Sequence, residues 1–368
     1  MSGVTTTPTD EEQAEGDALV GRLYGATIGA LELFHVYLGE RLGLYRALAT
    51  AGPLTAAGLA KAAGIHTRYA REWLEQQAVA GILAVEPGDG DEAARGYSLP
   101  RGHTEVLTDP DSINFFAPAA RGVVGIGAVM HHVIDAFRTG GGVPYEAYGA
   151  DMREAIASLN RPGFLTLLGS QWFPAITDVD NRLRSHPPAR VADVGCGTGW
   201  SSIGIARAYP LVKVDGFDLD SASIEDARRN AAASGVADRV TFEVRDAGDP
   251  RLAGAYDLVT AFETIHDMSH PASALRAMRA LAKNGGAVVV ADEKVAEEFT
   301  APGDELERFM YGWSAVHCLP VGMVEPQSAA TGTVMRPSKL REYAREAGFA
   351  DVEILPVEND FWRFYRLV

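Results

Sequence analysis

The spacing of apolar positions changes along the chain and divides it into three zones. From about 18 to 109 the sequence is rich in Ala and Leu and mostly helical in period. A long first helix carries Leu31, Leu33, Phe34, Val36, Tyr37 and Leu38 and ends within 42–48, and Gly52-Pro53 then breaks the chain. Thr55 caps a short helix running to Ala63, residues 64–67 turn, and a further helix follows over 68–80. The runs 81–85 and 96–99 predict two short strands flanking an acidic hairpin loop. Helix, turn, helix and β-wing together make the winged-helix pattern. From about 110 to 188, helix-like runs are interrupted at Gly140-Gly141-Gly142, and the segment reads as a connector rich in aromatic and histidine residues. From about 189 to 368 strand and helix signals alternate, with strands over 190–194, 213–217, 240–245, 258–262 and 286–291. Such alternation predicts an α/β fold with a doubly wound parallel sheet. The runs 352–356 and 361–365 predict a closing hairpin that makes one edge antiparallel.

The most informative stretch is Asp193-Val194-Gly195-Cys196-Gly197-Thr198-Gly199, at the end of the first strand of that sheet. Glycines at alternate positions let backbone N–H groups approach a ligand with no side chain between. A dinucleotide fingerprint needs its third glycine one place later, where Trp200 stands. The D-x-G-x-G-x-G pattern instead resembles the first motif of the class I S-adenosylmethionine-dependent methyltransferases, a Rossmann-like fold. The closing hairpin resembles that family too, and the likeness covers the whole third zone. The full order of zones resembles actinobacterial small-molecule methyltransferases with an N-terminal winged-helix dimerisation domain.

The resemblance implies S-adenosylmethionine (SAM) as cofactor. Gly195, Gly197 and Gly199 then place backbone beside its methionine and ribose, and Asp193 is positioned for the α-ammonium group, directly or through water. Asp218, at the end of the next strand, can accept both ribose hydroxyls, with Leu219 against the adenine. The family supplies a carboxylate and a backbone N–H to the adenine at the third strand end, here Asp246 and Ala247. Phe262 and Glu263, ending the fourth strand, complete the expected cofactor contacts.

Methyl transfer to a hydroxyl needs an oriented acceptor and a group that takes its proton. Glu263-Thr264-Ile265-His266-Asp267-Met268 resembles the His-Asp pair of plant-type O-methyltransferases, although Met268 stands where that pattern has tryptophan. His266 is thus the candidate base and Asp267 a neighbour of cofactor or substrate. Glu293 falls near the family's histidine-orienting glutamate, a place Asp292 could equally fill. Phe116, His131, His132, Tyr148 and Trp172 from the connector, with Trp313 and His317 from the amphipathic segment 309–320, are candidate substrate-lining residues, some of which will instead pack helices together. The glycine-flanked stretch 322–332 reads as a lid. No spacing of Cys, His, Asp and Glu reads as a metal site, though Asp267, Asp292 and Glu293 keep a Mg²⁺-assisted variant open.

Composition narrows the partners. The 368 residues carry a formal net charge of −16, which disfavours a nucleic-acid backbone. The would-be recognition helix holds Glu72 and Glu75 beside Arg68 and Arg71, and the wing holds Glu86, Asp89, Asp91 and Glu92. The first zone therefore reads as a homodimerisation module, with burial of its long helix between the chain's own domains as the alternative. Only Cys196 and Cys318 occur, which fits a reducing cytoplasm, and Cys196 reads as a small apolar filler. Residues 1–17, rich in Thr, Glu and Asp, read as a disordered tail with no signal-peptide order. No apolar run is long enough for a membrane span. The sequence thus points to methylation of a small aromatic or polyketide-like molecule at oxygen or nitrogen. Carbon alkylation or ring formation with the same cofactor is the alternative, and a SAM-sensing regulator a third.

Overall fold

The computed structural model describes residues 8–87, 91–246 and 250–368, so Asp89 and Ala247 lie outside the described residues. Two compact units divide the chain, one up to Val124 and one from Gly125 onward. The expected connector over 110–188 is therefore not a unit of its own. Its later part shares a core with the sheet, because Phe164, Leu168, Trp172, Phe173 and Leu183 pack with Val191, Ile203 and Val214.

The first unit opens with α1 (Asp10–Arg41), so helix begins inside the segment expected to be a disordered tail. The residues that suggested disorder are the ones that start the helix. Thr9 and Glu12 form a reciprocal capping box, and Asp10, Glu11 and Glu12 stand at the positive end of the helix dipole. Gly43, at φ 68°, separates α1 from α2 (Leu44–Ala51), so Leu44 starts a new helix and does not continue the first. Next come α3 (Ala56–Ala63), capped by Thr55 as expected, α4 (Thr67–Val79), the antiparallel pair β1 (Ala84–Val85) and β2 (Tyr97–Ser98), and α5 (Arg101–Thr108). Leu44, Tyr45, Leu48, Leu59, Trp73, Leu74, Leu83 and Tyr97 form its core. Gly39 lets α1 approach that core, since a Cβ there would sit 2.5 Å from Tyr45 and 2.6 Å from Trp73. On α4, Arg68 pairs with Glu72 and Arg71 with Glu92, so both cations of the would-be recognition helix face acids.

In the second unit α6 (Ala119–Thr139) enters across the division, followed by α7 (Gly149–Thr166) and α8 (Thr177–Arg184). Then β3 (Arg190–Val194), α9 (Trp200–Ala208), β4 (Lys213–Asp218), α10 (Ser221–Ala233), β5 (Val240–Val244), β6 (Tyr256–Phe262), α11 (Pro271–Leu281) and β7 (Ala282–Glu293) alternate as the sequence predicts. After β7 come α12 (Glu305–Trp313), α13 (Leu319–Gly322), α14 (Pro337–Glu346), β8 (Val352–Ile354) and β9 (Trp362–Leu367). The seven strands lie in the order β5-β4-β3-β6-β7-β9-β8. The pairs among β3 to β7 are parallel, whereas β9 runs antiparallel to both β7 and β8. The order reverses beside β3, and an open sheet binds ligands at such a switch point, outside the carboxyl ends of its strands.

Candidate active site

The loop after β3 is pinned to its neighbours through its own backbone groups. The N–H groups of Gly195 and Cys196 both donate to the Phe217 carbonyl, at 2.8 and 3.1 Å. Gly199, at φ 84°, has no room for a side chain, since a Cβ would meet Phe242 at 2.5 Å. At Gly197, φ 51°, a Cβ would meet nothing within 4 Å, so this glycine opens onto space a ligand can occupy. The half-buried Asp218 carboxylate accepts from the Gly197 N–H at 2.8 Å and from the Asp220 N–H at 2.9 Å. Each oxygen keeps acceptor capacity for a further donor. Leu219 beside it is 70% exposed, and Asp246 is exposed at the end of β5.

Asp193 is different. Ser201 and Ser202 donate to one of its oxygens, at 2.5 and 2.6 Å, and Thr260 to the other at 2.9 Å. With 1% exposure it is a buried brace that ties β3 to α9 and β6, which does not suit the ammonium role expected for it. Phe262 also departs from expectation, for its ring packs at 5.3 Å from that of Phe164 in the aromatic core.

The turn after β6 abuts the glycine loop, because a Cβ on Gly195 would touch Thr264 Oγ1 at 2.3 Å. His266, on that turn, is 2% exposed, and its Nδ1 lies 2.8 Å from Asp292 Oδ1. The orienting acid is thus Asp292 and not Glu293. Successive side chains of a strand face opposite sides, so one of the two reaches the imidazole. Glu293 instead shares a hydrogen bond with Glu263, which Asn160 of α7 also binds. Burial, then the charge of Glu263, pushes the Glu293 carboxyl well above its usual range. Glu263 sits at φ 52°, a left-handed conformation that costs a non-glycine residue about 1 kcal/mol or more. Burial lowers the basicity of His266, but Asp292 first and Cys318 second more than reverse this, so its pKa stands well above the ordinary value. Burial pushes the Asp267 carboxyl up to about 7, against the pull of His266.

One wall of the site comes from the segment after the three glycines. Gly142 packs where a Cβ would lie 2.4 Å from the Val324 nitrogen, and Val143 N–H donates to the Pro320 carbonyl at 2.9 Å. That contact sets the short turn Tyr145–Tyr148 against a π-helical turn, Ser314–Cys318. Tyr148 donates to the Val316 carbonyl at 2.8 Å, and its ring is 4.7 Å from that of His317. Tyr145, half-buried, feels Asp218 and Asp267 together, and burial with these charges pushes its hydroxyl pKa upward. The expected lid over 322–332 is tied to the segment that follows His266, since Ala329 N–H donates to the Ser269 carbonyl at 2.9 Å.

His317 and Tyr148 therefore meet beside the candidate base, as the sequence suggests. The other proposed lining residues do not join them. Trp172 is 1% exposed within the aromatic core, against Trp362 and Phe364. His131 and His132 are exposed on α6, their rings tilted against each other with centroids 3.9 Å apart. Trp313 packs with Val129, Val133 and Val143, and Phe116 belongs to the first unit, 51% exposed. Tyr145 and Asn160 belong to the aromatic and histidine-rich connector that the sequence suits to a substrate chamber, whereas Cys318 carries no expected role at the site. The signal missed for Cys318 is its place directly after His317 in the amphipathic segment 309–320. Among the described residues, no group of three or more His, Cys, Asp or Glu is arranged to hold a metal ion, and no helix is long and apolar enough to cross a membrane.

Comparison with known proteins agrees with this geometry. Residues 185–348 match a family described as a methyltransferase domain, and residues 29–109 match an Rv2258c-like winged HTH domain. Over 192 residues the chain is 30% identical to the ubiquinone biosynthesis O-methyltransferase of Marinobacter nauticus, an alignment covering 51% of this chain and 75% of that protein. Human N-acetylserotonin methyltransferase in complex with SAM shares the fold, with a TM-score of 0.69 at 18% identity over 100% of this chain and 99% of that one. So does an O-methyltransferase from neocarzinostatin biosynthesis, solved with S-adenosyl-L-homocysteine and 1,4-dihydroxy-2-naphthoic acid. Its TM-score is 0.60 at 20% identity, over 92% of this chain and 95% of that one. The open space at Gly197, the acceptor capacity of Asp218 and the exposed Leu219 suit the nucleoside of SAM. The chain belongs to the S-adenosylmethionine-dependent methyltransferases, as an enzyme of the class I fold with an N-terminal winged helix–turn–helix domain.

Proposed function

We propose that this enzyme methylates a hydroxyl or amine of a small aromatic or polyketide-like molecule, with His266 receiving the acceptor's proton. The observation that carries the reading is the buried dyad at the carboxyl edge of the sheet, His266 Nδ1 to Asp292 Oδ1 at 2.8 Å. SAM, when bound, supplies an electrophilic methyl group on a sulfonium. Asp218 and the backbone at Gly197 hold the nucleoside, Leu219, Asp246 and Ala247 serve the adenine, and Glu263 and Asp267 lie near the methionine end. Asp292 holds a proton on Nδ1, so Nε2 is the atom through which the neutral ring takes a proton, and the raised pKa that Asp292 gives the ring makes that neutral form a strong base but a minor one near neutrality. The half-buried Tyr145 ring, packed edge-to-face on His317, gives an aromatic acceptor a ring to pack against, with Tyr148 bracing His317 from behind in the same edge-to-face manner.

The acting form in this reading is a homodimer joined through α1. Val20, Tyr24, Ile28, Leu31, Phe34 and Leu38 recur at steps of three or four residues and are 42–70% exposed, which describes an apolar seam awaiting a partner helix. The deciding experiment incubates the enzyme with SAM and a panel of phenols, dihydroxyaromatic acids and amines. An O- or N-methylated product with one equivalent of S-adenosylhomocysteine supports the reading. A product alkylated at carbon, or carrying a new ring and no retained methyl group, overturns it in favour of carbon chemistry.

A further inference from the structure

Reading His266 as the base leaves one of its neighbours without a role. Cys318 ends the π-helical turn Ser314–Cys318, is 8% exposed, and hydrogen-bonds both His266 and His317. The His317 Nδ1 to Cys318 Sγ distance is 3.4 Å. Asp292 occupies Nδ1 of His266, so the sulfur meets that imidazole through Nε2, the same atom that a lone imidazole base would need free. A second polar atom is stranded at the same spot. His317 is 3% exposed, and its Nε2 is buried with no hydrogen-bond partner. Around the sulfur stand the two imidazoles, the acids Asp267 and Glu263 and the Tyr148 hydroxyl, with Asp292 behind the His266 ring. π-Turns are uncommon and concentrate at functional sites, and this one brings His317 and Cys318 to His266 together.

We propose that Cys318 is the other half of the base, so that the acceptor's proton is received by a Cys318 thiolate paired with the His266 imidazolium and not by a lone neutral imidazole. This rests on the methyl-transfer reading of the site given above and revises one part of it, moving the receiving atom from His266 Nε2 to Cys318 Sγ. As the acceptor's O–H or N–H bond breaks, its proton goes to sulfur. The acceptor's electron pair forms the bond to the transferred methyl group. Release of one proton to solvent then restores the thiolate, and no oxidant or reductant takes part. The surroundings favour the ion pair. Burial alone pushes the thiol up, but the imidazoles beside it, His266 foremost, bring it down to about 5. Asp292 on the far side of the ring favours the imidazolium in the same way. Cys196, the other cysteine, is pushed well above its ordinary value by burial and stays a thiol near neutrality.

The test begins without acceptor, on the full-length enzyme, by titrating the ultraviolet absorbance of the thiolate. The pair predicts one thiolate per chain at neutral pH, lost on descending through about pH 5 and absent from Cys318→Ser. In His266→Gln the same band should move up to the ordinary thiol range, about pH 8–9. A wild-type band that appears only in that ordinary range overturns the proposal. With SAM and an acceptor, Cys318→Ser and Cys318→Ala should lose about tenfold or more in kcat with KM for SAM unchanged. Undiminished kcat in both variants overturns the catalytic role even if the band is present. If the band is missing and His266→Ala is still slow, the pair falls and His266 stands as a base by itself.

Discussion

Asp193, Asp218 and Asp267 all sit at or just beyond strand ends, yet their surroundings give them different work. Three hydroxyls saturate Asp193, while Asp218 keeps capacity for a ligand beside Gly197. Asp267 is held up to about 7 by burial, so it changes charge across the neutral range. Its carboxylate form, present above that value, attracts a cationic cofactor, and its neutral form below does not. SAM affinity should therefore rise severalfold between about pH 6 and pH 8 in the wild type and stay level in Asp267→Asn. Calorimetry across that range checks it, and a flat wild-type profile removes Asp267 from the cofactor site. At this scale the sequence was legible where a residue follows a strand end, as with His266 and Asp218. It was not legible where two neighbours compete. Asp292 and Glu293 differ by one position, and only the pleat of β7 decides which reaches the imidazole.

Among the elements, the turn between β3 and α9 shows how similar glycines serve separate ends. Gly199 is required by packing, since Phe242 fills the place of a Cβ, whereas Gly197 faces open space. Gly199→Ala should cost well over the ~1–2 kcal/mol of a left-handed alanine because it adds a clash. Gly197→Ala should cost about that strain alone but weaken SAM binding tenfold or more by intruding on the ligand's side. Urea denaturation and calorimetry on the two variants separate these effects, and equal loss of stability with equal affinity would contradict the assignment. The alternation of strands and helices in this unit was plain from apolar period alone. The onset of α1 was not, because Thr, Asp and Glu favour both a solvated tail and a helix cap, and only the reciprocal Thr9–Glu12 hydrogen bonds distinguish the two.

For the whole molecule, the chain divides into two units where the sequence suggested three zones. Composition drew attention to the aromatic segment over 110–188, but aromatic rings serve cores as readily as pockets, and Trp172 and Phe173 went to the core. The exposed seam on α1 bears on assembly. If it joins two copies, Tyr24→Glu with Leu31→Glu should convert a dimer to a monomer in sedimentation equilibrium while the helix content is kept. A wild-type chain that sediments as a monomer would contradict the dimer outright.

Proton removal beside the His266 imidazole, braced by Asp292, is the central step. The direct measurement is single-turnover methyl transfer by the wild type and His266→Ala at saturating SAM, with cofactor binding followed in parallel by calorimetry. Unchanged binding with turnover slowed roughly 10²-fold or more is the predicted result. Turnover equal to the wild type would contradict it and leave the enzyme to work by holding its acceptor in place alone.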